Sequence, residues 1–332
     1  MIITPSLILF FTTLMLGTTL SISSSSWFGA WIGLEMNLMS FIPLIALKNN
    51  QYTSEAALKY FLIQALGSTM IMFSASLILL NNSISIILIL SLLLKLGAAP
   101  FHFWFPQVME GLNWIQAIIL MTIQKIAPMI LISYLSFSPL SKYFILSAAM
   151  ISAIVGAIGG INQTMLRKIL AFSSINHMAW MLTAIIISEI SWMSYFLFYS
   201  LISSSVALFF YSQQAFHYMH LINFMNSSFS SKLINSFSLL SLGGLPPFTG
   251  FMPKWFIMQE MITNQLFFPL FILLFSTLIT LYYYLRISLS FFLLMTSKTK
   301  WNLKSNFSKK IPTFFIFFNL FGLFFPSFFF LF

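Results

Sequence analysis

The chain contains no cysteine. Disulfides, thiolate-held iron–sulfur clusters and cysteine-type zinc sites are therefore excluded within it. Aspartate is missing too, and the acidic residues number five: Glu35, Glu55, Glu110, Glu189 and Glu260. Charged residues make up 6% of the chain, against about 25% in a soluble domain. A soluble fold of this size needs a charged surface, which this chain cannot build. It also lacks a glycine-rich dinucleotide loop, a P-loop and any His set at metal-ligand spacing. Any redox chemistry is expected elsewhere. The first charge is Glu35 and the first base Lys48, so neither an Arg-rich transit peptide nor a positively opened signal is expected at the front.

What is present is apolar: 59% of the 332 residues are hydrophobic. Such a chain is stable only with lipid as its main solvent. The net charge of +10 invites a nucleic-acid reading, but nine of the fifteen bases lie in alternate links between apolar runs, those after even-numbered runs. That is the pattern of membrane orientation, not of a polar nucleic-acid face. Only Arg167 and Arg286 are arginine, while Phe, Ile, Leu, Met, Ser and Asn abound. This bias fits a very AT-rich gene, as organelle genomes often are.

A spanning helix needs ~20 apolar residues. By that rule the fold class is all-α: a single polytopic transmembrane bundle over 1–332, with about eleven helices. The expected spans are 2–22, 25–46, 54–80, 84–108, 113–137, 142–162, 166–187, 191–213, 234–261, 266–293 and 311–331. Links after even-numbered spans carry Lys48, Arg167, Lys168, Lys232, Lys298, Lys300, Lys304, Lys309 and Lys310. Links after odd-numbered spans carry Lys142 as their only base, plus Glu189. The positive-inside rule then puts the N-terminus inside and the C-terminus outside.

Two spans are interrupted by Gly and Pro: Lys95-Leu-Gly-Ala-Ala-Pro100, and Gly243-Gly-Leu-Pro-Pro-Phe-Thr-Gly250 followed by Pro253-Lys254. They lie five spans apart. Halves of five helices are inverted relative to one another because five is odd. The expected pseudo-repeats are 1–137 and 141–294, followed by a C-terminal helix at 311–331. Paired broken helices in inverted halves mark transport pathways. A break frees backbone polar groups that lipid cannot satisfy, so it must face protein or a wet cavity. The plain alternative is that membrane helices simply tolerate Pro and Gly; a lysine beside each break counts against it.

An ionisable group at the bilayer centre costs ~2.5–3.5 kcal/mol on insertion scales and is a functional candidate by default. Glu35 sits mid-span in Trp31-Ile-Gly-Leu-Glu-Met-Asn37. Lys95 sits beside the first break, and Lys125 mid-span in Gln124-Lys-Ile-Ala-Pro128. Pro128 lacks a backbone donor, so a carbonyl one turn back is free for a lysine to satisfy; that is the structural alternative for Lys125. Desolvation disfavours the charged form of an amine, which suits a reversible proton carrier. His177, in Phe172-Ser-Ser-Ile-Asn-His177, is either a relay group or a hydrogen-bonded core histidine. Lys254 is read like Lys95. Glu260, two turns on, is an exit group or an interfacial acid. Lys59 and Glu55 are spaced i,i+4 at a helix start, an ordinary pair, with pairing of Lys59 to Glu35 as the functional alternative. His102, Glu110, His217 and His220 fall near the inner face. Together these groups could line a lateral hydrophilic path whose bound water carries protons.

Six segments resemble a known family. They are Trp31–Asn37, Glu55-Ala-Ala-Leu-Lys-Tyr-Phe61, Leu94-Lys-Leu-Gly-Ala-Ala-Pro-Phe-His-Phe-Trp-Phe-Pro106, Gln124–Pro128, Leu170-Ala-Phe-Ser-Ser-Ile-Asn-His177 and Leu242-Gly-Gly-Leu-Pro-Pro-Phe-Thr-Gly-Phe-Met-Pro-Lys-Trp255. From about Trp27 to Arg286 the chain resembles the NADH–ubiquinone oxidoreductase chain 2 family, core membrane-arm subunits of respiratory complex I, in their short animal form. The resemblance implies a fold shared with cation/proton antiporter subunits. It implies that Glu35 and Lys95 form a charge pair, that Lys125 is the central relay, and that Lys254 is the outlet-side lysine. His177 matches a family histidine position. It also implies the mitochondrial inner membrane, with the N-terminus in the matrix and the C-terminus in the intermembrane space. No cofactor is expected in this chain: NADH, FMN, iron–sulfur clusters and ubiquinone belong to other subunits. The expected partners are other core and accessory membrane-arm subunits and lipid, cardiolipin included, with no nucleic acid.

Three readings compete. A subunit of a redox-driven proton pump should travel with an NADH-oxidising assembly. A free-standing cation/proton antiporter should survive without redox partners and keep the full set of family helices, which the short form disfavours. A structural membrane spacer should be indifferent to neutralisation of Lys125.

Overall fold

The computed structural model describes residues 5–46, 50–77, 85–223 and 229–293. Fourteen α-helices account for nearly all of them. In order they are α1 Pro5–Ser23, α2 Trp27–Ala46, α3 Gln51–Leu77, α4 Ser85–Leu96, α5 Trp104–Gly111, α6 Trp114–Met121, α7 Ile123–Leu135, α8 Pro139–Gly160, α9 Leu166–Ile187, α10 Glu189–Gln213, α11 Tyr218–Asn223, α12 Phe229–Gly243, α13 Phe251–Thr263 and α14 Phe267–Leu293. No strand occurs among the described residues; the one extended contact is an isolated bridge between Met165 and His217. Among the described residues, eight segments are long and apolar enough to cross a membrane. The chain is thus an all-helical, multi-pass membrane protein. Ten of the expected spans fall at least partly on described residues; seven of them coincide with one helix, and the fourth, fifth and ninth are each divided into two helices. The helix expected at 311–331 lies outside the described residues, as do Lys48, Lys298, Lys300, Lys304, Lys309 and Lys310.

Backbone economics explains the breaks. In the fourth span, α4 stops at Leu96 and α5 begins at Trp104. Gly97 takes a left-handed φ of 71°, the amide of Ala98 donates to the Leu93 carbonyl at 3.1 Å, and that of Gly97 to the Leu94 carbonyl at 3.1 Å. This is the Schellman closure, in which glycine reverses the chain and orphan carbonyls find donors. Side chains add a second donor to one of these carbonyls and a first donor to another. The Trp104 indole donates to Leu94 O at 3.0 Å and the Gln64 amide to Lys95 O at 3.1 Å. The second break repeats the device. Gly244 has φ 78°, Leu245 donates to Leu240 O at 3.4 Å, and Gly244 donates to Ser241 O at 3.1 Å.

A third interruption departs from expectation. The span expected as continuous over 113–137 divides at Thr122 into α6 and α7. The Thr122 hydroxyl donates to Ile118 O at 2.7 Å, competing for the carbonyl that the helix ladder uses, while Lys125 N closes on Thr122 O at 3.1 Å. Back-bonding threonines of this kind bend helices. The link expected at 214–233 is partly helical too, as α11 and the first turn of α12.

The described residues fall in two compact units, Met1–Ser152 and Ala153–Phe332. In the first, α1 packs closely on α2, α2 on α3, and α3 on α4 and α5. A Cβ on Gly17 would strike the Asn37 side chain and sit 2.9 Å from Gly33 O, so the two backbones touch only because glycine stands there. In the second unit, α9 is enclosed on nearly all sides, with α10, α13 and α14 packed against it. A Cβ on Gly156 would lie 2.7 Å from Asn176 N and 2.8 Å from Phe172 O. Gly17, Gly33 and Asn37 thus recur, at the same spacing and in the same crossing, as Gly156, Phe172 and Asn176. Every pair is 139 positions apart. Exposed apolar stripes complete the picture. On α14 the exposed residues include Phe268, Phe271, Phe275, Leu278, Tyr282 and Leu285, at helical spacing.

Candidate functional site: two buried polar sets

In the first unit the structure brings Lys95 and Lys125 to one small cavity. It is walled by Tyr60, Gln64, Lys95, Trp104, Gln124 and Lys125 among others, and about 20 Å³ of it is open to water centres. One water needs ~10–15 Å³. Both lysines are buried, 6% and 2% exposed, and an ionisable group inside a membrane span is a functional candidate by default. Local sequence places each group. Tyr60, Gln64 and Gly67 follow at i, i+4 and i+7 on α3, so they share a face. Gly67 leaves room for the lysine stem: a Cβ there would sit 3.0 Å from Lys95 Cγ. On α7, Lys125 Nζ lies 5.1 Å from the Phe105 ring centroid, at cation–π range. The Tyr60 hydroxyl donates to Gln124 Oε1 at 3.3 Å.

Glu35 stands on α2 beside this cavity, to which its neighbours Leu34 and Asn37 contribute. It is close enough to Lys95 to act on it electrostatically. Glu35 and Lys95 form no direct ion pair; Lys59 Nζ, by contrast, meets Glu55 Oε1 at 2.6 Å. Glu35 Oε2 is fully enclosed with no hydrogen-bond partner, as are Asn37 Oδ1 and Gln124 Nε2. Buried polar atoms ordinarily have partners, and two of these three, Asn37 and Gln124, belong to residues that line the water-sized space.

The second unit assembles a different set. His177 Nδ1 lies 2.8 Å from the Tyr195 hydroxyl, and the imidazole centroid is 5.1 Å from that of Tyr199. His177 and both tyrosines are buried. They share a cavity of about 10 Å³ with Ser241, Leu242, Gly250 and Pro253, the residues flanking the second break. Lys254, 5% exposed, donates from Nζ to Gly243 O at 2.8 Å. Gly244 is required here twice: by its left-handed φ, and because a Cβ would lie 2.9 Å from Lys254 Nζ. Glu260, on the same helix α13, meets the Ser188 hydroxyl at 3.2 Å.

Of the residues singled out from sequence, Lys95 and Lys125 share a cavity in the first unit with Glu35 on the adjoining α2, and His177 shares a cavity in the second with residues flanking the break that bears Lys254. Lys59 is taken by Glu55, with 42% of its side chain exposed. His102 is buried against Phe103, ring centroids 4.1 Å apart. Sequence reasoning passed over Tyr60, Gln64, Tyr195 and Tyr199. A signal for them existed: hydroxyls and amides at i,i+4 spacing inside apolar spans. No cluster of three or more potential metal ligands occurs among the described residues.

Comparison with known proteins places these sets in context. A sequence profile of the family described as "NADH:quinone oxidoreductase/Mrp antiporter, TM" matches residues 24–86 and 80–280. NADH-ubiquinone oxidoreductase chain 2 of Anopheles gambiae is 49% identical over 321 residues, covering 94% of this chain and 93% of the mosquito protein. A chain of respiratory complex I from Thermus thermophilus superposes with a TM-score of 0.80 at 24% identity, over 87% of this chain and 71% of that one. A chain of the Mrp complex from Dietzia sp. superposes with a TM-score of 0.72 at 14% identity, over 82% of this chain and 58% of that one.

Proposed function

Because the chain belongs to the NADH:quinone oxidoreductase/Mrp antiporter family, and within it to the NADH-ubiquinone oxidoreductase chain 2 family, we propose that it is a core membrane-arm subunit of respiratory complex I. Its work is to move protons across the mitochondrial inner membrane. Electrons travel elsewhere: NADH, FMN, iron–sulfur clusters and ubiquinone are held by other subunits, whose reaction drives this one.

The observation that carries the proposal is the pair of buried lysines, Lys95 and Lys125, on one water-sized cavity beside Glu35. Glu35 and Lys95 act as a charge pair through a bridging water or a changed side-chain position. Lys125 passes the proton on, and His177 and Lys254 carry it through the second unit. Lys59 stands at the edge of this set and joins it by exchanging Glu55 for another partner. The two units are read as inverted halves of five helices. The shared glycine–asparagine crossing and the two Schellman breaks support that reading. The N-terminus faces the matrix, and a helix at 311–331 returns the chain to the intermembrane space. Cardiolipin is drawn to the inner-side lysines on charge grounds.

The test is Lys125→Ala in the assembled complex. The variant should co-migrate with the NADH-oxidising assembly on a native gel. Its proton translocation per assembled complex should fall by about a hundredfold or more, the range of a lost acid–base group. Full translocation by this variant removes Lys125 from the path. A small particle without NADH activity removes the complex I assignment itself.

A further inference from the structure

We propose that Tyr195 is a proton-carrying hydroxyl between His177 and the broken segment that bears Lys254. The inference rests on the relay reading of His177 and adds a residue to it. Tyr195 is 1% exposed, and its oxygen lies 2.8 Å from His177 Nδ1. A hydroxyl donates and accepts at once, so it can pass a proton without ionising. The proton on His177 Nδ1 moves to the Tyr195 oxygen as the original hydroxyl proton leaves toward the cavity. The tyrosine is neutral before and after, and His177 returns to its neutral form. The receiving space is the cavity of about 10 Å³ whose walls include His177, Tyr195, Tyr199, Ser241, Gly250 and Pro253. Its far wall is thus the break itself, whose Gly243 carbonyl holds the Lys254 amine.

Repetition separates this pair from the scaffold. The register that matches Gly17 with Gly156 and Asn37 with Asn176 also matches Tyr60 with Tyr199. A tyrosine at that place belongs to both units. The same register sets Leu38 against His177 and Ala56 against Tyr195. The first unit therefore folds the same crossing with neither group, and the histidine–tyrosine bond is an addition to the second. Packing alone does not need the hydroxyl: the Tyr195 ring stacks on Trp180 at an interplanar angle of 7°, a contact that phenylalanine would keep.

The experiment compares Tyr195→Phe, His177→Ala and the double variant in the intact complex, reading proton translocation per assembled complex. The proposal expects Tyr195→Phe to assemble normally and to slow translocation about tenfold or more. The double variant should be no slower than His177→Ala, because groups in one path are not additive. A fast Tyr195→Phe beside a slow His177→Ala overturns the proposal and leaves His177 in place. Full rates in both overturn His177's relay role and this inference with it. Should Tyr195→Phe fail to accumulate, Tyr195→Met, which fills the gap flexibly, takes its place. Failure of both to accumulate, or a fast Tyr195→Met, makes the bond purely structural and also overturns the proposal.

Discussion

The two units solve one problem, a helix broken inside a membrane protein, with different side chains. In the first, neutral groups quiet the break: the Gln64 amide takes Lys95 O and the Trp104 indole takes Leu94 O. The Lys95 side chain is left to line the cavity shared with Lys125. In the second, the lysine quiets the break itself, with Lys254 Nζ on Gly243 O at 2.8 Å. Charge-assisted hydrogen bonds are about twice as strong as neutral ones. A lysine so engaged still donates after it gives up its proton, but the bond falls to the strength of a neutral one. The comparison teaches that similar breaks need not use their lysines alike: the Lys95 side chain has no hydrogen-bonding duty at its break, while the Lys254 side chain holds a break carbonyl. The acid differs as well. Glu35 of the first unit corresponds in register to Ser174 of the second, where His177 and Tyr195 supply the titratable group instead.

The largest effects should come from what the units share. Gly17→Leu and Gly156→Leu both force a side chain into a helix crossing where even a Cβ would meet backbone closer than 3.0 Å. Neither helix can retreat without losing its packing, so each change should cost several kcal/mol, beyond the ~1–3 kcal/mol of ordinary overpacking. The amount of assembled complex on native gels should drop severely, and to a similar degree, for both. A variant of one glycine that assembles normally would break the claim that the crossings are equivalent.

Next in size is the lysine contrast. Lys254→Met leaves Gly243 O without its donor, and an orphaned buried carbonyl costs ~1–3 kcal/mol. Lys95→Met removes no donor from its break, because Gln64 and Trp104 remain. Both should stop proton translocation, yet only Lys254→Met should also lower the thermal unfolding temperature of the complex. Equal stability of the two variants would sink the division of labour.

Much of this architecture was legible in the sequence because membranes impose simple rules. Apolar runs of spanning length located the helices, and the Gly and Pro interruptions marked both main breaks, where Gly97 and Gly244 take left-handed conformations. Glu35, Lys95, Lys125 and Lys254 stood out because charge is so rare in this chain. What stayed hidden depends on contact. Nothing local in Thr122 distinguishes a threonine that bonds Ile118 O and splits a helix from the many that do not. Tyr195 reads as one aromatic among many until α9 and α10 pack and set its oxygen against His177. Gln64 and Trp104 gain their meaning only from carbonyls that the break in α4 exposes. The Lys59–Glu55 spacing was legible as an ordinary helix pair, and that is the contact it makes.

The smallest effect sharpens the comparison most finely. Gln64 and Ser203 occupy matching positions on α3 and α10. The Gln64 amide reaches across to the break at Lys95 O, whereas the Ser203 hydroxyl bonds within its own helix, to Ser200 O at 3.4 Å. In the second unit that task has passed to Lys254. Gln64→Leu should therefore destabilise the complex by ~1–3 kcal/mol, the cost of an orphaned carbonyl. Ser203→Ala should cost less than ~0.5 kcal/mol, since a hydroxyl bonded back to its own helix adds little. Thermal unfolding of the purified complex resolves the difference. If Ser203→Ala matched Gln64→Leu, the second break would depend on its serine as the first does on its glutamine, and Lys254 would be as free as Lys95.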